Sequence, residues 1–416
     1  MPLNIIVVGA GIGGLCTAVA LHQAGHSVKV FEKSRFLGEA GAALSVAPNG
    51  GRVLSQLGFD FKRARAMELK TWSLIDGITL DPIAVTDLSD RRERYGNPFY
   101  VLHRADLHGE LVRLASLKGS DLNVQVAAKV TSANAEEGFV ELEDGTRHYA
   151  DLIIAADGIH SVLRSVVAGE DQSIKPTGLS AFRFLIPTSD IKDDPHFVEL
   201  QKLGDGGSTI AADTTQEVEH HLVWYECQDG EVQNFVGIHK QTAEVENLKQ
   251  SMMAEFRHYH PSLVHLISRA GDVTDWPLFI HDPLPQWHRD KLLIIGDAAH
   301  PMLPFGGQGS NQAVEDAGAL GILLDGASPS DVPQCLQQFE KVRRLRASRT
   351  QVLSKVRINK EMEVHEELKQ YADPPGSDLP TTMKERFDHD QGFDVIGMSR
   401  KVKSQDTGLK TYCMDH

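Results

Sequence analysis

Asn4-Ile5-Ile6-Val7-Val8-Gly9-Ala10-Gly11-Ile12-Gly13-Gly14 is the stretch that decides the fold. Leu3 to Val8 is a short apolar run ending in glycines, as a strand buried in a parallel sheet reads. Gly13 to Ala24 is small and apolar, and Gly25 closes it as a helix C-terminal signal. Ser27 to Phe31 then alternates into a second strand that ends at Glu32. Strand, helix and strand in that order form a βαβ unit, and Gly9, Gly11 and Gly14 fit GxGxxG inside it. Gly9 permits the tight turn, Gly11 lets the backbone approach a pyrophosphate, and Gly14 lets helix and strand pack closely. The helix N-terminus then faces phosphates, and Glu32 can accept hydrogen bonds from ribose hydroxyls. These residues predict dinucleotide binding; the motif alone does not separate FAD from NAD.

Outward from this unit, Asn49 to Leu57 and Arg104 to Ser116 read as helices, and Val124 to Val130, Phe139 to Leu142 and Leu152 to Ala155 as strands. From Leu179 to about Ile280 strand-like alternation dominates, for example in Ala181 to Ile186 and His221 to Glu226, which predicts a separate antiparallel sheet. Leu292 to Ile295 is again a fully apolar strand. A long helical tract from about Pro333 keeps its spacing to about Tyr371, and the polar residues beyond Asp373 predict loose order.

The fold class expected is α/β: a Rossmann-like dinucleotide domain with an inserted antiparallel-sheet substrate layer and a long C-terminal helix. The boundaries expected are 1–75, 100–172 and 285–328 for the first, 76–99 and 173–284 for the second, 329–372 for the helical segment and 373–416 for a polar tail.

Composition narrows the function. The 416 residues carry 57 acidic and 42 basic side chains, a net charge of −15, with 41% hydrophobic residues. Such a balance excludes a nucleic-acid or anionic-membrane binder that gains from counterion release. Cys16, Cys227, Cys335 and Cys413 are scattered without a CxxC, so neither a metal site nor a disulfide framework is expected. Met1 to Asn4 lacks Lys and Arg, and no uncharged apolar run reaches the ~20 residues of a membrane helix. A cytoplasmic protein, monomer or homodimer, is the expectation.

Two later motifs carry chemistry. Ile153 to Ala156 leads into Asp157-Gly158, which is either an ordinary strand-to-helix turn or part of a site. Gly296-Asp297 ends another apolar strand. There follows Pro304-Phe305-Gly306-Gly307-Gln308-Gly309, with a helix from Ser310 or Asn311. Backbone N–H groups at such a loop, with the helix dipole behind them, make a site for developing negative charge; a second phosphate loop is the alternative.

A GxGxxG near the N-terminus, a central Asp-Gly and a late Gly-Asp in this order resemble the class A FAD-dependent aromatic monooxygenases, in particular salicylate hydroxylase and fungal hydroxylases of phenolic polyketides. Gly41-Ala42-Ala43, Pro48-Asn49, His103-Arg104-Ala105-Asp106-Leu107, Trp276-Pro277-Leu278 and Gly296 through Ala317 carry the resemblance, over roughly residues 3 to 350. It implies non-covalent FAD, with NADPH or NADH bound transiently because no second GxGxxG exists. It further implies that O₂ adds at the flavin C4a position and one oxygen reaches an electron-rich aromatic ring. On that resemblance Glu32 holds the adenosine ribose, Arg104 reaches the flavin side, and Asp297 bonds the ribityl chain. Asp157 and Gly158 lie near the pyrophosphate. Backbone at Ala43, Gly306, Gly307 and Ser310 surrounds the isoalloxazine, and the Pro304 carbonyl faces the reacting oxygen. Arg183 and Tyr225, on strands of the second sheet, are the substrate-facing candidates, because a nearby cation or hydroxyl favours a phenolate over a phenol that ionises near ~10.

Alternative expectations are a solvent-pointing strand charge for Arg183 and a packing role for Tyr225. His220 and His221 read as surface-strand residues, and Lys341, Arg343, Arg344, Arg346 and Arg349 as the solvated face of a helix. Glu226 stands where many relatives have proline, and the tail lacks their aromatic-rich closing segment. Alternative activities are epoxidation or hydroxylation of an alkene or indole by the same fold, and a non-hydroxylating flavin reductase.

Overall fold

The computed structural model describes residues 1–35, 42–117, 122–169, 174–204, 207–215, 219–242 and 246–413. Gly41 of the Gly38–Ala43 loop lies outside them.

The predicted βαβ unit is the centre of a six-stranded sheet. Asn4–Val8 pairs in parallel with Ser27–Phe31 on one side and with Leu152–Ala155 on the other. Asn123–Gln125 and Leu292–Ile294 extend it in parallel, and His288–Arg289 adds an antiparallel edge. Ile5 to Val8, Leu152 to Ala155 and Leu292 to Ile294 are all buried, as strands covered on both faces must be. Helix Ile12–Gln23 packs on this sheet. A Cβ on Gly14 would run into the carbonyl oxygen of Gly9, so the close packing of helix on strand depends on glycine there. Gly9 itself has φ +100° and donates its N–H to Phe31 O at 2.8 Å, which closes the turn.

The second layer is a seven-stranded sheet running Thr274–Ile280, Lys175–Pro187, Val232–Lys240, His221–Cys227, Ser208–Ala212, Thr71–Asp76, Pro82–Asp87. Its pairings are antiparallel except that between Ser208–Ala212 and Thr71–Asp76. Since Thr71–Asp76 belongs to this sheet, the layer begins before the boundary expected at residue 75. One face packs on helices Leu248–Glu255 and Pro261–Ser268 around Phe182, Phe184, Phe235 and Phe256. The other face looks toward the glycine loops of the first layer.

The C-terminal third departs from expectation twice. The long helix spans only Val332–Leu353. Short turns cover the chain to Tyr371, with Asn359 at φ +81°, a conformation that ends a right-handed helix. Residues after Asp373 are not loose. They form helices Met383–Gly392 and Val395–Cys413, and Arg386, Phe387, Asp390, Gln391, Val395 and Val402 are buried. Thr382 caps the first through a capping box with Glu385.

In the basic run on the long helix Lys341 is exposed as expected, but Arg343 and Arg346 are not part of a solvated face. Arg343 is fully buried. Its Nε donates to Asp316 Oδ1 at 2.8 Å, and its Nη1 bonds Glu315 Oε2. Arg346 Nη2 donates to Glu315 Oε1 at 3.2 Å and to Asp390 O at 2.8 Å. These ion pairs fasten the last helices to helix Gly309–Leu323.

Candidate active site

Between the two layers lies a cavity of about 430 Å³. Gly11, Ala43, Arg104, Gly158, Gly296, Asp297, Pro304, Gly306, Gly307 and Ser310 line it from the first layer, and Arg183 and Tyr225 from the second. Gly9 and Gly14 lie beneath its floor, in the turn just described. Glu32 and Asp157 sit beside it. Glu32 Oε2 accepts from Ala10 N at 2.8 Å and Oε1 from Ser34 N at 2.8 Å, so this carboxylate also braces the glycine turn. Asp157 Oδ2 accepts from Val162 N at 2.9 Å, while its buried Oδ1 has no hydrogen-bond partner.

The glycine-lined end is held by side chains that sequence reading missed. Arg164 is buried. It donates to Ala298 O at 2.7 Å, Ile159 O at 2.7 Å and Asp297 O at 3.1 Å, clamping the Asp-Gly and Gly-Asp turns together. Asn311 Nδ2 donates to Gly307 O at 2.8 Å and Ser45 O at 3.1 Å, and its Oδ1 accepts from Ala47 N at 3.0 Å. Asn234 Oδ1 accepts from Ala43 N at 3.0 Å and thereby joins the second sheet to the wall of the site. Asn234, at the head of the run Phe235 to Ile238, gave a faint signal as a polar residue in a strand, whereas Asn311 stands between Ser310 and Gln312 and gave none.

Asp297 is exposed and lines the cavity. Enclosure by protein raises its carboxyl above the usual range, against the pull of His300, Arg104 and Arg164. Arg104, at the start of helix Arg104–Ala115, is desolvated too, and Asp297 partly offsets that loss. A polar chain bearing hydroxyls fits between these two groups, and the N-terminus of Gly309–Leu323 favours negative charge beside it. Such a donor set and glycine floor fit a flavin dinucleotide.

The other end is apolar, with Trp72, Phe99, Ile210, Val223, Ile358 and Phe387 on its walls. Register places Arg183 opposite Val236 and Val236 opposite Val223, with Tyr225 two residues on, so all four side chains share one face of the sheet. Arg183 does not point into bulk solvent. Its guanidinium lies 4.9 Å from the Trp276 ring centroid, and its Nε is buried without a hydrogen-bond partner. Burial lowers its pKa, offset by Tyr225, while burial raises that of Tyr225 and so keeps its hydroxyl protonated. His220 and His221, expected at the surface, are both 2% exposed; the His221 ring meets Phe305 of the glycine loop edge-on at 5.6 Å.

Residues 3–354 match the model of the FAD binding domain family. The chain belongs to that family. Among FAD-binding relatives, it is 35% identical to the FAD-dependent monooxygenase phomE' of Diaporthe leptostromiformis, over 89% of this chain and 96% of the relative. It is 31% identical to hispidin-3-hydroxylase of Neonothopanus nambi, over 96% of each. A salicylate hydroxylase solved as a substrate complex superposes with a TM-score of 0.74 at 25% identity, over 96% of this chain and 98% of the other. This FAD-binding protein is therefore a monooxygenase of the FAD-dependent hydroxylase type, with the α/β fold its sequence predicted. No helix among the described residues is long and apolar enough to cross a membrane.

Proposed function

We propose that the chain hydroxylates a phenolic ring bound as its phenolate between Arg183 and Tyr225, using NADPH or NADH and O₂. One observation carries this reading: the desolvated guanidinium of Arg183, its Nε without a hydrogen-bond partner, beside the protonated hydroxyl of Tyr225, on the apolar half of the cavity. A cation in apolar surroundings lowers the pKa of a phenol brought against it, and a neutral hydroxyl can donate to the resulting oxygen. Ionisation makes the ring electron-rich at the carbon to be hydroxylated.

FAD would supply the oxygen chemistry here, with electrons from the nicotinamide nucleotide and the two oxygens of O₂ going to the ring and to water. The chain's residues bind and orient. Asp297 and Arg104 hold the polar chain of the cofactor, and Glu32 its ribose. Asp157 and Gly158 lie by the pyrophosphate. Ala43, Pro304, Gly306, Gly307 and Ser310 line the cavity and would hold the ring of the cofactor. Apolar walls exclude water, so oxygen is transferred rather than released as peroxide. Hydroxylation of phenolic substrates by relatives such as hispidin-3-hydroxylase supports this reading. It carries with it a cytoplasmic enzyme, monomer or homodimer, in keeping with the net charge of −15 and the scattered cysteines.

Arg183→Ala is the test. FAD content should stay at the wild-type level, since Arg183 lies on the second sheet, while product formed per nucleotide oxidised falls and peroxide rises. Loss of a close charge partner of about 3–5 kcal/mol corresponds to ~10²–10³-fold in the affected step. Arg183→Lys should restore part of it, because a point charge lacks the guanidinium fork. Raising the pH should rescue Arg183→Ala more than wild type, since solvent then ionises the phenol. Wild-type coupling in Arg183→Ala at neutral pH would rule out the assignment.

A further inference from the structure

Asp213, His220 and His258 place one ligand-type atom each within 4.8 Å of one another. Sequence spacing hides this group, because the three residues come from separate elements. Asp213 follows strand Ser208–Ala212, His220 precedes strand His221–Cys227, and His258 sits between helices Leu248–Glu255 and Pro261–Ser268. The cluster lies on the helix-covered face of the seven-stranded sheet, where the His220 ring packs 4.6 Å from Phe256, whereas neighbouring His221 faces the glycine loop.

The surrounding hydrogen bonds aim each donor. Tyr259 donates its hydroxyl proton to His220 O at 3.1 Å, so its lone pair is left to accept from His220 Nδ1, 3.0 Å away. The proton of His220 is therefore on Nδ1, and Nε2 presents a lone pair. That Nε2 is buried, has no hydrogen-bond partner, and stands 3.4 Å from Glu255 Oε1. Burial first, then the nearby His258, hold His220 neutral, with a pKa lowered to about 4. Asp213 Oδ1 accepts from Thr215 N at 2.9 Å and Thr215 Oγ1 at 2.6 Å, which turns Oδ2 toward His258 Nε2 at 2.8 Å. A lone pair of His220, a carboxylate oxygen of Asp213 and a ring nitrogen of His258 thus lie within 4.8 Å of one another, an arrangement that a cation can occupy. Outer hydrogen bonds that fix a histidine tautomer, as Tyr259 does, are the usual support of a metal-ligating imidazole.

We propose that Asp213 Oδ2, His220 Nε2 and His258 Nε2 bind a divalent transition cation of the zinc class. Two nitrogens and one oxygen suit such an ion, with the fourth position taken by water. Tetrahedral bonds of ~2.0–2.2 Å set donors ~3.3–3.6 Å apart, so the Asp213–His258 contact must open by roughly half an ångström. His258, with its side chain 35% exposed, is free to make that movement. The bound ion ties two strand ends of the substrate sheet to the helices behind them.

Equilibrium dialysis of the FAD-loaded full chain against Zn²⁺ tests this. Wild type should retain one equivalent, and its thermal midpoint should rise with zinc. His258→Ala, at a half-exposed position, should keep its flavin absorbance yet bind zinc more than about tenfold more weakly. Tyr259→Phe should weaken binding by about tenfold through loss of the tautomer lock. His265→Ala, in the neighbouring Asp194–His265 pair, should bind as wild type does. Absence of stoichiometric zinc in wild type, equal binding in wild type and His258→Ala, or a comparable loss in His265→Ala would each overturn the proposal.

Discussion

Arg386 occupies the space that Gly306 leaves by having no side chain: a Cβ there would stand 2.6 Å from Arg386 Nη2. A residue of the C-terminal helix thus abuts the glycine loop of the site. Arg386 cannot swing away easily, because its Nη1 donates to Val356 O at 3.1 Å and faces Glu361 at 3.4 Å.

Gly306→Val should therefore displace either the loop or Arg386. We expect slow flavin reduction or lowered FAD content, with circular dichroism close to wild type. Gly307→Val should do the same by a different route, since Gly307 has φ +61° and a Cβ there would meet Ser45 Oγ at 2.6 Å. Wild-type reduction rates in both variants would separate this loop from the flavin.

Glu32→Ala removes two acceptors from the backbone, at Ala10 N and Ser34 N, besides any bond to ribose. FAD should dissociate more readily, each charge-assisted contact being worth about 1.5–3 kcal/mol. Glu32→Gln keeps one oxygen acceptor and should fall between. Fluorescence of released FAD on dilution measures the order.

Arg343→Met isolates the buried charge network. Glu315 and Asp316, both fully buried, would lose their shared partner, and we expect destabilisation of about 3–5 kcal/mol in chemical unfolding. The triple variant Arg343→Met, Glu315→Gln, Asp316→Asn should recover much of that loss. A single variant as stable as wild type would show that the network contributes little.

Glu219 predicts a pH dependence. Burial alone would raise its carboxyl, but the hydrogen bond to His221 and the charges of His221, Arg357 and Lys360 bring it down to about 2. A depressed folded-state pKa contributes stability above the unfolded carboxylate value that is lost as the pH falls toward the folded one. Acid unfolding of wild type should therefore steepen below the ordinary glutamate range, toward pH 2. Glu219→Gln should be less stable at neutral pH and lose less on acidification through that interval.

What the sequence disclosed and what it hid follow from the range of each constraint. Gly9, Gly14 and Glu32 are legible because turn, helix and next strand are fixed by neighbours within about thirty residues. Arg183 and Tyr225 could be placed on strands, but which face they share depends on the register of Val232–Lys240 between them, and a single strand does not encode that register. Arg343 and Arg346 read as solvated because residue type cannot distinguish a charge facing water from one facing a partner more than twenty residues away. For that reason a tail of polar composition concealed two packed helices. His220 and His221 were misjudged similarly, their partners Tyr259 and Phe305 lying on other elements.

Phe387 has a consequence for the order in which the protein matures. It closes one wall of the cavity, meeting Trp72 edge-on at 5.8 Å, yet it follows every strand of both sheets in the chain. A nascent chain can complete both sheets and the glycine turns while that wall is still inside the ribosome. Cofactor capture can thus precede closure of the substrate chamber, which waits for helix Met383–Gly392 to emerge.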